Sequence, residues 1–567
     1  MSQTRFLSFL AVALGFLMLF ARLGQLPLRD PDEGRNSEVA REMKLSGSWL
    51  IPSYNGLVYL DKPAFFFKAV ALSFALFGES EATARLPSAM FAAALLVMLF
   101  AFCRREYDLR TALFAVIVVA TTPLFFALGR HVIFDMTLGF FVCAAVFSGY
   151  LAEAVEGPAR SRWYLCGAVA AGCATLVKGP IGFILPTLVL TCHNLWSGHT
   201  GWWKRYFHPL NLIVFFGVTL PWFFGVSRIR PDFPHYGLVE ESFHRFTTTS
   251  FRRSAPFYYY ALVIVGGFYA WSLLAPGAAI LAWKRRFQLL PADRLFVVWI
   301  ISVVLFFSIS KSKLPAYILT ALVALGALTA RLLVAALDRK EGQAARVLFR
   351  GVVGVGILSV AVALFLSLEV FHPGSHRQWF KIRSSEYERI TLIFGPAAAC
   401  FAVIALLAFA SRGLRNVRLA LATFLVLPVA VVTAGFGPLQ DYSDASSTRP
   451  LARRLAELPA GTEIVCVESF PSGLDFYLKR QVPVVSADGS ELTSNYIIYT
   501  LKKTTNWPEI IVPVADRDRW LAARTNRVCL IAGKGSRHKL EALAAERKLP
   551  LEELTRGWWA VQLPPAK

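Results

Sequence analysis

Hydrophobic side chains in this sequence come in unbroken runs of about 17–22 residues, the length at which an α-helix crosses the hydrocarbon core of a bilayer. Residues 6–22 (FLSFLAVALGFLMLFAR) and 351–368 (GVVGVGILSVAVALFLSL) are two of them. In lipid a backbone can satisfy its polar groups only within a helix or a closed barrel, so a series of such runs predicts a polytopic helical membrane protein. The rest of the composition agrees. Of 567 residues, 56% are hydrophobic and 17% charged, and mean hydropathy is +0.51, whereas soluble chains carry roughly 25% charged residues. A soluble enzyme, a nucleic-acid-binding domain and a disordered chain are excluded. The net charge of +22 therefore reads as positive-inside topology and contact with anionic membrane lipids, with no nucleic-acid partner.

The runs predict about thirteen spans, starting near Phe6, Leu86, Thr111, Phe134, Tyr164, Phe183, Leu210, Phe257, Leu295, Pro315, Gly351, Ile390 and Leu419. Residues 6–22 follow a basic Arg5 with no small-residue cleavage site, which predicts a retained first span. Alternate loops are basic, for example Arg104, Arg105 and Arg110, then Arg160 and Arg162, then Lys204 and Arg205. That alternation places the N-terminus in the cytoplasm and, with an odd span count, the C-terminus outside. Two outer loops, 24–85 and 228–256, are long and rich in charge, aromatics and proline, the setting in which a membrane enzyme builds a site. In the first, Asp32 is expected to cap a helix over 33–44 that ends at Gly47, carries a Glu38–Arg41 pair and lies on the membrane surface.

From residue 439 the composition becomes mixed and polar. Short β-like runs at 464–467, 482–485, 510–514 and 528–532 alternate with amphipathic stretches at 449–458 and 539–545. They predict a small α/β domain over 439–567, following a membrane domain over 1–438. The eight cysteines show no metal-ligand spacing. Cys466 and Cys529 fall on two of the expected strands, either as a disulfide or, on the favoured reading, as two buried thiols.

The chemistry is expected at the outer boundary. Asp32 and Glu33 follow the first span and Asp135 lies in a short outer turn, where an ionised side chain beside an apolar helix needs a partner or a polar cavity. The plainer alternatives are that Asp32 only caps its helix and that Asp135 only pairs with Arg130. Lys62, Lys178, Lys311, Lys313, Arg245, Arg252 and Arg253 lie on the same side, against the positive-inside trend, which suggests an anionic ligand such as a lipid phosphate.

The stretch Pro31-Asp32-Glu33-Gly34-Arg35-Asn36-Ser37-Glu38-Val39-Ala40-Arg41-Glu42-Met43 resembles the first-loop motif of the lipid A aminoarabinose transferases. These are GT-C membrane glycosyltransferases related to the protein O-mannosyltransferases. The resemblance continues, in order, through Asp61-Lys62-Pro63, Leu76-Phe77-Gly78, Ala84-Arg85-Leu86-Pro87, Lys178-Gly179, Pro231-Asp232-Phe233, Arg245-Phe246 and Ala255-Pro256-Phe257-Tyr258. It ends at Lys311-Ser312-Lys313-Leu314-Pro315-Ala316-Tyr317, covering roughly the first 330 residues.

The resemblance implies a GT-C-type membrane domain of about thirteen helices in a bacterial inner membrane, with the α/β domain in the periplasm. It implies an undecaprenyl-phosphate-linked 4-amino-4-deoxy-L-arabinose donor, a lipid A phosphate acceptor and inversion at the anomeric carbon. Carried over by motif, Asp32, Glu33 and Asp135 are the candidate catalytic acids. Lys62, Lys178, Arg245, Lys311 and Lys313, with Arg35 and Tyr59, are the candidate substrate-binding residues. No cofactor is required, although Asp61 with His244 could hold a divalent cation. Around Glu240-Glu241-Ser242-Phe243-His244 the chain is one residue longer than the family's pattern, which leaves open whether Glu241 or His244 takes the place of its histidine. Two other readings remain: transfer of another sugar to a glycan or protein hydroxyl, and a lipid or solute transporter. Against transport, the charges cluster in outer loops and no internal repeat is present.

Overall fold

The computed structural model describes residues 13, 15–248, 253–284, 289–338, 342–371, 384–504 and 506–565. Among them, seven helices are long and apolar enough to cross a membrane, from Glu81–Glu106 to Phe394–Gly413. Two bent pairs bring the number to nine if each is one span: Leu109–Ala120 with Pro123–Gly129, turning by 71°, and Tyr259–Gly267 with Trp271–Leu281, turning by 115°. Pro123 and the Gly266-Gly267 pair stand at these breaks, where the helix loses a donor or its side-chain support. Twelve of the thirteen expected runs fall on helices. The first is described at residue 13 and from residue 15, with 15–20 helical; of the others, Pro158–Lys178 is too polar and Ile181–Ser197 too short to count as a span by length and hydropathy alone, and Val417–Ala445 enters that count only over Val417–Pro428. The chain is a multi-pass membrane protein.

The 24–85 segment holds two helices, α1 (Asp32–Ser46) and α2 (Phe65–Phe77), joined through a small hairpin of β1 (Ser53–Tyr54) and β2 (Leu57–Val58). α1 departs from expectation twice. Asp32 does not cap it: Pro31 stands at the cap position without a side-chain bond, and Asp32 enters the first turn to pair with Arg35 at 2.5 Å. Nor does the helix lie on a membrane surface, since every residue from Glu33 to Met43 is buried. Its polar side chains are matched inside the protein instead, which removes the need for a wet face. Gly47 ends it at φ 66°, as expected.

After the last long helix, Val417–Ala445, the chain forms a six-stranded sheet. Its strands are β3 (Glu463–Val467), β4 (Val484–Ser486), β5 (Ile511–Pro513), β6 (Val528–Gly533), β7 (Glu552–Thr555) and β8 (Trp558–Leu563). The order is β5-β4-β3-β6-β8-β7, parallel through β6 and closed by an antiparallel hairpin that the sequence reading did not anticipate. Strand alternation divides its side chains. Val465, Val467 and Leu530 pack under the Arg537–Glu546 helix, while Ile464, Cys466 and Ile531 join a second core with α1 and α2. Cys466 pairs in register with Ile531 and Cys529 with Ile464, and both thiols are free and buried. That second core, which includes Val39, Met43, Phe66, Phe74, Leu474 and Tyr496, fuses the α/β unit to the outer segments of the membrane domain.

Candidate active site

A cavity of about 440 Å³ opens where residues 60–63 before α2, the Asp135–Glu153 and Pro158–Lys178 helices and the 233–247 segment meet the start of the Pro315–Asp338 span. Its wall is mostly apolar, including Leu138, Val142, Ile181, Leu185, Phe223, Phe233 and Phe307, and its polar end carries Asp61, Lys62, Asp135, Lys178, Glu241, Arg245 and Tyr317. An apolar pocket with a few converging charges is the usual form of a site for a molecule with a greasy body and a charged head.

Each charge is placed by an element end or a loop. Lys178 closes its helix just before Gly179, whose φ is 76°, and the C-terminal end of a helix dipole favours a cation there. Its ammonium donates to Asp135 and lies 4.9 Å from the Phe134 ring and 4.7 Å from the Tyr317 ring. Arg130, the alternative partner for Asp135, instead donates to the carbonyls of Met18 and Leu19. Lys62 donates to its neighbour's carbonyl at 2.7 Å and to the Glu241 carboxylate, and Arg245 donates to the same carboxylate oxygen. Burial alone would raise the Glu241 carboxyl, but Lys62 and Arg245 outweigh it and hold the group below its usual range.

Tyr236–His244 winds as a π-helix, a form frequent at functional sites. That winding turns Glu241 into the cavity, while His244 stays outside the lining and meets Glu240 at 3.0 Å. Asp61 is fully engaged elsewhere. It accepts from Tyr236 Oη, Ser494 Oγ and the backbone N–H groups of Asn495 and Tyr496, at 3.2, 3.0, 3.2 and 2.7 Å. Burial, reinforced by the Glu241 charge, pushes its carboxyl upward. Asp61 and His244 therefore make their hydrogen bonds to different partners.

The other expected residues sit outside the lining. Arg35 bridges Asp32 to the carbonyl and hydroxyl of Thr493, at 2.9 Å each, and lies 5.9 Å from the ring of buried Tyr59. The Asp32 side chain is 49% exposed. Glu33 is consumed by a buried network in which Arg85 donates to both its oxygens at 2.8 Å and the N–H groups of Arg29 and Val132 add 3.1 Å bonds. Lys313 donates to the Ser310 carbonyl, and the 311–313 backbone hydrogen-bonds to Phe246 and Arg253, so this loop lines the cavity through Ser310 and Ser312 while Lys311 is exposed. Arg252 lies outside the described residues. Sequence reasoning missed the roles of Glu241, Tyr317 and residues 493–496. Glu241 lies four residues before Arg245 on one helical face, a readable signal; the 493–496 turn offers none.

Residues 61–224 match the family model described as dolichyl-phosphate-mannose-protein mannosyltransferase. The chain is 32% identical over 368 residues to an undecaprenyl phosphate-α-4-amino-4-deoxy-L-arabinose arabinosyl transferase of Aeromonas salmonicida, covering 63% of this chain and 66% of that protein, just under two thirds of its length. A protein of the same name from Shewanella sediminis is 26% identical over 499 residues, covering 85% of this chain and 86% of that one. In architecture, the crystal structure of ArnT from Cupriavidus metallidurans bound to undecaprenyl phosphate matches at a TM-score of 0.79 and 26% identity, over 98% of this chain and 97% of that one.

Proposed function

The chain belongs to the undecaprenyl-phosphate aminoarabinose transferase family of GT-C membrane glycosyltransferases, and we propose that it transfers 4-amino-4-deoxy-L-arabinose from undecaprenyl phosphate to a lipid A phosphate at the periplasmic face of a bacterial inner membrane. The observation that carries this reading is the convergence of Lys62, Lys178 and Arg245 at the polar end of an apolar cavity. A polyprenyl phosphate has the matching shape and charge.

In the reaction an acceptor phosphate oxygen attacks the anomeric carbon from the face opposite the donor. The bond from that carbon to the donor oxygen breaks, and its electron pair leaves with undecaprenyl phosphate. Negative charge grows on the leaving phosphate, so fixed cations stabilise the transition state more than the ground state. Glu241 and Asp135 hold those cations in place before the donor arrives. The acceptor phosphate is already anionic and needs no general base. Asp32, half-exposed and steadied by Arg35, is suited to orient the ammonium of the sugar. The cations needed here are side chains, so the reading calls for no cofactor. Basic alternate loops support a cytoplasmic N-terminus and a periplasmic C-terminal unit.

The test is expression in a Gram-negative strain lacking its own transferase, with lipid A weighed by mass spectrometry. The wild type is expected to add an aminoarabinose-sized mass, and Lys62→Met to lower the rate about 10²–10³-fold, as loss of a transition-state cation does. Unmodified lipid A with the wild-type protein present in the membrane would overturn the reading and point to a hydroxyl acceptor.

A further inference from the structure

Away from the cavity, α1 presents two carboxylates to the α/β unit. Glu38 and Glu42 are four residues apart, which sets them on one face of the helix, and both are buried. Each has conventional partners. Glu38 accepts two bonds from Arg41 at 2.7 Å, and Glu42 accepts from Ser53 Oγ at 2.5 Å and the Gly56 N–H at 3.1 Å. Taken alone, this pair would be unremarked helix chemistry.

What changes the picture is Asp475, from the Leu474–Leu478 helix of the α/β unit. It is 0% exposed, and among the described residues no side chain or backbone group makes a well-formed hydrogen bond to either of its oxygens, the Val482 N–H giving it only weak support. A carboxylate so placed pays heavily in lost hydration unless some cation or proton meets it. One of its oxygens lies within 4.8 Å of ligand oxygens from both Glu38 and Glu42. Oxygen ligands on opposite sides of a calcium ion, each at about 2.3–2.6 Å, are separated by about 5 Å at most, so three such atoms can share one ion.

The charges around the cluster do not balance it. Among the described residues Arg41 is the one cation hydrogen-bonded to a cluster member, while Lys44 and Lys479 both pair with Glu79, at 2.9 and 2.8 Å. Three carboxylates against one guanidinium leave two negative charges in a buried space. A single shared proton would neutralise one of them and still leave an Asp475 oxygen bare.

We propose that Glu38, Glu42 and Asp475 form a structural divalent-cation site that pins the α/β unit to α1. The donors are all carboxylate oxygens with no imidazole or thiolate, which selects a hard ion, Ca²⁺ or Mg²⁺, over zinc. The site is separate from the cavity, and the proposal stands whether or not the proposed reaction is correct.

The full-length protein is purified in detergent, stripped with EDTA, and titrated with CaCl2 or MgCl2 alone while thermal unfolding and bound metal are measured. One equivalent of ion is expected to bind and to raise Tm by several degrees, reversibly with EDTA, as for any ligand of the native state alone. Asp475→Asn is expected to lose both the bound equivalent and the Tm shift; Glu42→Gln serves in its place if that variant does not fold. Glu541→Gln, which removes an exposed carboxylate paired with Arg537 at 2.7 Å away from the cluster, should keep both responses. A wild-type Tm indifferent to cation and EDTA would overturn the proposal and leave a shared proton as the account of Asp475. So would a response that survives in both Asp475→Asn and Glu42→Gln, or one that disappears in Glu541→Gln.

Discussion

Asp32 and Glu33 are neighbours that read alike in sequence and part company in the fold. Asp32 keeps half its side chain in solvent, whereas Glu33 is enclosed with Arg85, whose guanidinium also binds the carbonyls of Leu23, Leu26 and Pro27. Glu33 is therefore a tie between the end of the first span and α1, and its removal strands a buried cation. Glu33→Gln is expected to cost roughly 3–5 kcal/mol, the penalty for breaking a buried pair on one side, read as a lowered unfolding temperature in detergent. The pH dependence follows with a definite sign. Burial works to raise the Glu33 carboxyl, but His131 and Arg85 outweigh it and bring it from 4.5 down to about 2. Its contribution is complete above pH 4.5 and fades as pH falls toward 2, so the wild type should lose stability across that acid window. Glu33→Gln should show a flatter profile there.

At the level of elements, helix ends and one irregular winding build the cavity. The Pro158–Lys178 helix delivers its final residue to Asp135, and the π-helix over Tyr236–His244 brings Glu241 between Lys62 and Arg245. The helix Asn495–Leu501 meets this group from the α/β unit, with two of its first N–H groups and Ser494 Oγ on Asp61. Asp61→Ala leaves those donors without their acceptor, at about 1–3 kcal/mol for a buried group so stranded. Hydrogen exchange should then accelerate at the amides of Asn495 and Tyr496, with the β3 and β6 amides unchanged. Unaltered exchange at 495 and 496 would mean that Asp61 does not hold this turn.

Over the whole molecule the α/β unit shares a core with α1, and α1 is left without a wet face because that unit packs against it. The two come close at Gly34, where a Cβ would stand 2.6 Å from the backbone of Gly473 and 2.4 Å from Asp30 Oδ1. Neither the helix nor the 473 turn can yield without opening the shared core, so Gly34→Ala is expected to cost about 1–3 kcal/mol, as overpacking does. The cost should appear as faster proteolytic release of the C-terminal unit. The sequence by itself determined the membrane class, twelve of the helical runs, α1 and its Gly47 end, the four parallel strands, and the set of outer cations from which the cavity draws Lys62, Lys178 and Arg245. All of these rest on hydropathy, periodicity and capping, which act between residues a few positions apart. The local Glu38–Arg41 pair was readable too; only the tertiary structure decided which acid meets which cation across long separations in the chain. Lys62 and Glu241 are 179 residues apart, and Asp61 and Tyr496 are 435 apart. Ion pairing and buried hydrogen bonds depend on distance in space and on the removal of water, and no local pattern in the chain encodes either.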